Sequence, residues 1–182
     1  MTCFNRKDKT LQALDSLFGQ LADADVYLVD DGCTDGTGEA VKQQFPRVSV
    51  IQGTGNLFWN RGMHLAWTTA AAQHDYDFYL WLNDDTLLLA DAIQDLLACS
   101  ESEQHQSVIC GSTCAANSPD DITYGGWIKT DILKPNGQKQ CCDFANGNIL
   151  LVPKFVYKKV GTNDPVYHHS MGDFDYGARA RK

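Results

Sequence analysis

The chain has 182 residues, 43% hydrophobic and 21% charged, and a formal net charge of −8. This is the length and balance of one soluble globular domain with a proper core. The acidic balance argues against a nucleic acid partner, because no lysine- or arginine-rich stripe is present to displace phosphate counterions. It leaves a nucleotide ligand open, since a bound cation reverses the local sign. No apolar run approaches membrane-spanning length, and the first residues lack a charged-then-apolar signal pattern. The seven cysteines are not spaced as a zinc site: Cys141-Cys142 are adjacent, and Cys110/Cys114 have no second pair. They read as free thiols in a reducing cytoplasm.

Thr2-Cys3-Phe4 reads as the tail of a strand, followed by a helix with Leu11, Leu14, Leu17, Phe18 and Leu21 at helical spacing. Val26-Tyr27-Leu28-Val29 is a short apolar run bounded by aspartates, expected as a central strand. It ends in Asp30-Asp31-Gly32-Cys33-Thr34-Asp35-Gly36-Thr37, and a helix runs on to about Gln44 with Asp35 or Thr34 as N-cap. Val48-Ser49-Val50-Ile51 is the next strand. The loop Gly53-Thr54-Gly55-Asn56 leads to a helix over about residues 59–73, with Trp59, Met63, Trp67 and Ala70 forming a core-facing stripe.

Asp77-Phe78-Tyr79-Leu80-Trp81-Leu82-Asn83-Asp84-Asp85-Thr86 follows: a buried strand that stops in two adjacent carboxylates. Such a pair resists desolvation and calls for a cation or water between its members, and hard oxygen ligands suit Mg2+ or Mn2+. The bland alternative is a solvated loop with an N-cap aspartate for the helix near residues 90–99. A strand at Val108-Ile109 comes next. Residues 117–142, with Gly125-Gly126 and Pro135-Asn136-Gly137, suggest β-ribbons and loops. Ala145-Asn146-Gly147-Asn148 introduces the strand Ile149-Leu150-Leu151-Val152. Pro153 opens a short helix, and Gly172-Asp173 starts a last one. Strands alternating with helices imply a largely parallel sheet covered on both faces.

A phosphate-binding α/β protein normally places a glycine-rich turn after its first strand. Here acid stands instead. Asp30 and Asp31 can accept hydrogen bonds from a nucleobase or sugar, or hold a metal. An aspartyl phosphatase would need Asp-x-Asp-x-Thr in register, which Val29-Asp30-Asp31-Gly32-Cys33-Thr34 does not provide.

The stretch from Leu28 to Thr37 resembles the nucleotide-binding signature of family 2 glycosyltransferases, with Cys33 where serine is usual. Thr2-Cys3-Phe4-Asn5-Arg6 is similar to the family's first-strand motif. Gly55-Asn56-Leu57-Phe58-Trp59-Asn60-Arg61-Gly62-Met63 resembles its rhamnosyltransferase-like branch. Leu82-Asn83-Asp84-Asp85-Thr86 looks like its Asp-x-Asp position, with Asn83 replacing the first carboxylate. Gly172-Asp173-Phe174-Asp175-Tyr176-Gly177-Ala178-Arg179 looks like its catalytic-base segment.

The resemblance implies an α/β GT-A fold with a mostly parallel central sheet flanked by helices. It implies one domain over residues 1–182, with a nucleotide-sugar half to about residue 112 and an acceptor-side half from about 113. It implies transfer of a sugar, with inversion, from a UDP- or dTDP-linked donor to a saccharide or lipid-linked saccharide, as in polysaccharide or glycolipid synthesis. The donor nucleotide would lie against Thr2, Phe4, Asn5, Arg6, Asp30 or Asp31, Asn56, Arg61, Gly62, Asn83 and Asp84. Asp85 would bind the Mg2+ or Mn2+ that bridges the diphosphate.

Asp173 would be the base that takes the acceptor's proton, with a second role as N-cap of the last helix. Asp175 is explained by an i,i+4 pair with Arg179. Arg61 either contacts phosphates or pairs with the aspartates. Asn146-Gly147-Asn148 either lets the backbone approach the acceptor or is a turn before a strand, and Trp127 either stacks on a sugar or packs as core. His168 and His169, just upstream, either serve as a metal ligand or acceptor contact or are merely exposed or hydrogen-bonded.

By comparison with the family pattern, both ends read as shortened. The part beyond the last helix is where a further metal-ligating histidine and peripheral contacts with the inner face of a membrane would be expected. A catalytically incomplete nucleotide-sugar-binding module is the alternative. A nucleotidyltransferase would want a glycine- and lysine-rich phosphate loop near the start, and the chain has none.

Overall fold

The computed structural model describes residues 1–181. Strands β1 (Thr2–Cys3), β2 (Tyr27–Asp30) and β3 (Ser49–Gln52) alternate with helices α1 (Lys7–Gln20), α2 (Thr37–Gln44) and α3 (Phe58–Gln73). The three strands form a parallel sheet in the order β1-β2-β3, with Thr2 opposite Val29 and Tyr27 opposite Ser49. Next come β4 (Phe78–Leu82), α4 (Ala92–Ser102), β5 (Ile109–Cys110) and a series of short strands. These are β6 (Thr113–Ala115), β7 (Ser118–Tyr124), β8 (Gly126–Ile128), β9 (Asp131–Ile132) and β10 (Phe144–Ala145). Then β11 (Ile149–Pro153), α5 (Lys154–Val160) and α6 (Gly172–Ala180) complete the order.

The ribbons expected between residues 117 and 142 are present as the antiparallel pairs β6-β7 and β10-β8-β9. One strand departs from the expected direction. β11 lies between β4 and β5 and runs antiparallel to both. The reason is topological: the chain leaves β5 into the ribbons and re-enters the sheet from the same end, so its return strand points back.

The alternation of side chains along β4 and β11 explains why both faces need helices. Leu80, Leu82, Ile149 and Leu151 face one core, shared with Ala13, Leu14 and Leu17 of α1, Val41 of α2, and Ile93 and Leu96 of α4. Tyr79, Trp81, Leu150 and Val152 face the other, against Met63, Trp67 and Ala70 of α3, Val156 of α5 and Tyr176 of α6. The α3 stripe is therefore core, as its spacing predicts. Among the described residues no helix is long and apolar enough to cross a membrane.

Candidate functional site

The carboxyl ends of β1, β2 and β4 and the amino end of the antiparallel β11 all open on one edge of the sheets, where open α/β sheets bind ligands. At the tip of β4, Asp84 is buried, 6% exposed, while Asp85 beside it is exposed to solvent. Arg6, from the loop after β1, reaches between them: Nη1 lies 2.7 Å from Asp85 Oδ2 and 3.4 Å from Asp84 Oδ1. Asp84 Oδ2 is buried without a partner among the described residues. Burial above all pushes the Asp84 carboxyl up to about 6, against the pull of Arg6. Neither aspartate caps α4, whose cap position is Asp91.

The other acidic pair is turned inward. Asp31 is 4% exposed; its Oδ1 accepts the Gly55 N–H at 2.8 Å, and its Oδ2 accepts those of Leu57 at 2.8 Å and Phe58 at 3.0 Å. It fixes the loop that leads into α3. Asp30 Oδ1 accepts the Cys33 N–H at 2.7 Å, and a Cβ on Gly38 would meet Asp30 Oδ2 at 2.3 Å, so this carboxylate packs onto the start of α2. Asp35 stabilises that helix by accepting the Thr37 N–H at 3.0 Å and ties it to α1 by accepting the Lys7 N–H at 3.0 Å. The cap position itself is Gly36 in the left-handed region, φ 78°.

The remaining donor-side residues divide into rim and interior. Phe4 is exposed, and Asn5, with φ 52°, holds the β2–α2 loop by accepting the Thr34 N–H at 2.7 Å. Asn56 is exposed on its loop. Thr2 and Gly62 are buried against each other: a Cβ on Gly62 would sit 2.3 Å from Thr2 Oγ1. Arg61 pairs with none of the site aspartates. Its Nε donates instead to the Pro165 carbonyl at 2.9 Å.

Of the residues expected on the acceptor side, Asp173 sits in the first turn of α6. Its Oδ2 accepts the Gly147 N–H at 3.0 Å and its Oδ1 the Phe174 N–H at 2.9 Å. It does not cap the helix as expected, because α6 begins a residue earlier with Met171 at the cap position. Asn146 Oδ1 accepts from the Trp127 indole at 2.7 Å, so the residue just after β10 meets the side chain of β8. Asp175 and Arg179 form the expected i,i+4 pair at 2.8 Å. His168 and His169 are exposed and flank the Phe58 ring, with centroids 5.0 Å and 6.2 Å away.

Two features escape sequence reasoning. Asn60, fully buried, donates to the carbonyls of Asp164 at 2.7 Å and Tyr167 at 2.8 Å, and accepts from Asn163 Nδ2 at 2.7 Å. This pair of asparagines clamps the segment before α6 onto α3. Trp59, which reads as core from its spacing, also donates its indole N–H to Asn83 Oδ1 at 2.7 Å. Arg6, Asp85, Asp84, Asn83, Trp59, Gly147 and Asp173 thus form one contiguous line along the edge.

The α/β arrangement, with its acidic tip at the end of β4, is that of a GT-A protein. The profile described as glycosyl transferase family 2 matches residues 1–161, and the chain belongs to that family. Among solved structures, mannosyltransferase PcManGT from Pyrobaculum calidifontis, in complex with GDP-Man and Mn2+, is 14% identical. It aligns with a TM-score of 0.63 over 96% of this chain and 48% of that one. The 1-349 form of S. aureus TarS is 16% identical, with a TM-score of 0.61 over 98% of this chain and 53% of that one. A longer S. aureus TarS structure is 17% identical, with a TM-score of 0.61 over 98% of this chain and 32% of that one. At these identities the likeness is one of fold. The chain spans about half or less of the length of these neighbours. A search of curated proteins gives no match.

Proposed function

We propose that this chain carries the donor site and catalytic base of an inverting glycosyltransferase, which moves a sugar from a nucleotide diphosphate to an acceptor hydroxyl. The observation that supports it best is the contiguous line from Arg6 and the Asp84–Asp85 tip to Asp173, which sets a cation-seeking acidic pair beside a base. Residues up to about 112 serve the donor and the remainder the acceptor.

Asp84 and Asp85 fit a divalent ion. Their oxygens are hard donors, and one of them is buried without a partner. Among the described residues no third His, Cys, Asp or Glu joins them, so an Mg2+ or Mn2+ would share its remaining positions with diphosphate oxygens and water. When bound, such an ion neutralises charge developing on the departing diphosphate. Arg6 pairs with these carboxylates and would meet the phosphate oxygens of a bound donor. Phe4, Asn5 and Asn56 are exposed on the loops where base and ribose would lie, and Asn83 follows β4 with its side-chain oxygen on the Trp59 indole.

At the other end, Asp173 takes the proton from the acceptor hydroxyl as it attacks the anomeric carbon. One base and one displacement give inversion. Trp127 and Asn146 line the acceptor approach. The spacing of the seven cysteines in the sequence suits a reducing, cytoplasmic setting.

The test is calorimetric binding of UDP, dTDP and GDP, with and without Mn2+; GDP belongs in the panel because the PcManGT structure holds GDP-Man and Mn2+. Metal-dependent binding of one nucleotide, abolished by Asp85→Ala, is the expected result. Metal-independent binding, or an unchanged Asp85→Ala, would overturn the metal role. Binding without turnover of any donor would favour the incomplete module.

A further inference from the structure

Trp59 stands between the two ends of the site. Its Nε1 donates to Asn83 Oδ1 at 2.7 Å, immediately before the Asp84–Asp85 tip. The benzo edge of the same ring lies against Gly147, where a Cβ would fall 2.5 Å from Cη2 and 2.6 Å from Cζ2. Gly147 in turn donates to Asp173 Oδ2 at 3.0 Å. The ring is braced edge-on by Trp81 at 5.7 Å. Trp81 also packs at 5.3 Å on Tyr176 of α6, the helix that carries Asp173.

We propose that Trp59 is a positioning residue that couples the acidic donor tip to the catalytic-base loop. An indole has no internal torsion, so a displacement of its N–H edge at Asn83 is delivered undiminished to the benzo edge at Gly147. Close-packed interiors pass such displacements on and do not absorb them. Gly147 must be glycine for the ring to come this near, and its N–H then sets the orientation of the Asp173 carboxylate. Charge arriving at Asp84 and Asp85 is thereby reported to the base loop. A second route runs through the backbone, from Asn83 N–H to the Asn148 carbonyl at 3.0 Å, and the experiment must separate the two. The catalytic meaning of the coupling rests on the reading of Asp173 as base; the mechanical link does not.

The test is amide and indole NMR of the isotope-labelled full chain without ligand. Asn83→Ala should move the Gly147 and Phe174 amide resonances, and in a Trp59→Phe background that response should be roughly threefold smaller, as in a double-mutant cycle. Gly147→Ala should move the Trp59 indole resonance from the opposite side, a check that stands if Trp59→Phe folds poorly. Equal responses in both backgrounds would assign the route to the Asn83–Asn148 backbone and overturn the proposal, as would an indole resonance indifferent to Gly147→Ala. Failure of every nucleotide to bind would sink the donor-site reading and leave these spectra unchanged. Where turnover is measurable, Trp59→Phe should lower kcat with the donor KM near its original value; the reverse pattern would refute a positioning role.

Discussion

Gly147 donates its backbone N–H to Asp173 Oδ2 at 3.0 Å, which joins the loop before β11 to the first turn of α6. The Phe174 N–H takes the other oxygen at 2.9 Å. Each carboxylate oxygen has a second lone-pair direction for an incoming hydroxyl, so the bonds would orient the proposed base without consuming it. Asp173→Asn keeps the shape and removes the proton acceptor. Turnover should fall by about 10²–10⁴-fold, with nucleotide affinity by calorimetry unchanged. Undiminished turnover would remove Asp173 from the mechanism.

Asp31 accepts three backbone N–H bonds while 4% exposed. Its truncation leaves the N–H groups of Gly55, Leu57 and Phe58 without their acceptor, at the point where α3 is anchored. Asp31→Ala should therefore lose about 3 kcal/mol of stability. Asp85, half of a solvent-facing pair with Arg6, should change by under about 1 kcal/mol when truncated. Urea unfolding of the two variants decides this: equal midpoints would mean that Asp31 is not the structural anchor its bonds describe.

Asn60 is fully buried and holds the Asp164 and Tyr167 carbonyls. A Cβ on Gly172 would lie 1.9 Å from its Oδ1, so α6 starts directly against it. Asn60→Ala should cost about 1–3 kcal/mol and speed hydrogen exchange over residues 163–172 before it affects α1 or α2. Exchange that rises uniformly along the chain would refute a local clamp.

What the sequence makes legible here is what local pattern carries. Period and adjacency suffice for the acidic strand ends, the core stripe of α3 and the Asp175–Arg179 pair, because each is decided within one element. The direction of β11 depends on where the ribbons lie, not on its own apolar residues. The Asn60–Asn163 bond spans 103 residues, and two asparagines so far apart carry no mutual signal. Asp30 and Asp31 show the limit most clearly. Adjacency marks them as a site, yet which way a carboxylate faces depends on the loop that folds over it, here residues 53–58. The second role of Trp59 is hidden in the same way, since a stripe assigns a face to the ring and says nothing of its N–H.

Asp84 offers a test in which stability and function oppose each other. Burial raises its carboxyl from 3.8 to about 6, so the folded state holds the proton more tightly than the unfolded one. The group's contribution is then harmless below about pH 3, where both states are protonated, grows costly as pH rises from the unfolded to the folded value, and levels off above it. In metal-free buffer, Asp84→Asn should be more stable than the original chain at pH 7.5 by about 1–3 kcal/mol, with the gain vanishing near about pH 3. Added Mn2+ with the cognate nucleotide should reverse the order, because only the original chain gains binding energy from the ion. Thermal unfolding across pH, with and without the ion, measures both halves. A variant that is less stable at every pH would show that Asp84 is a structural carboxylate and not a strained ligand held ready for a cation.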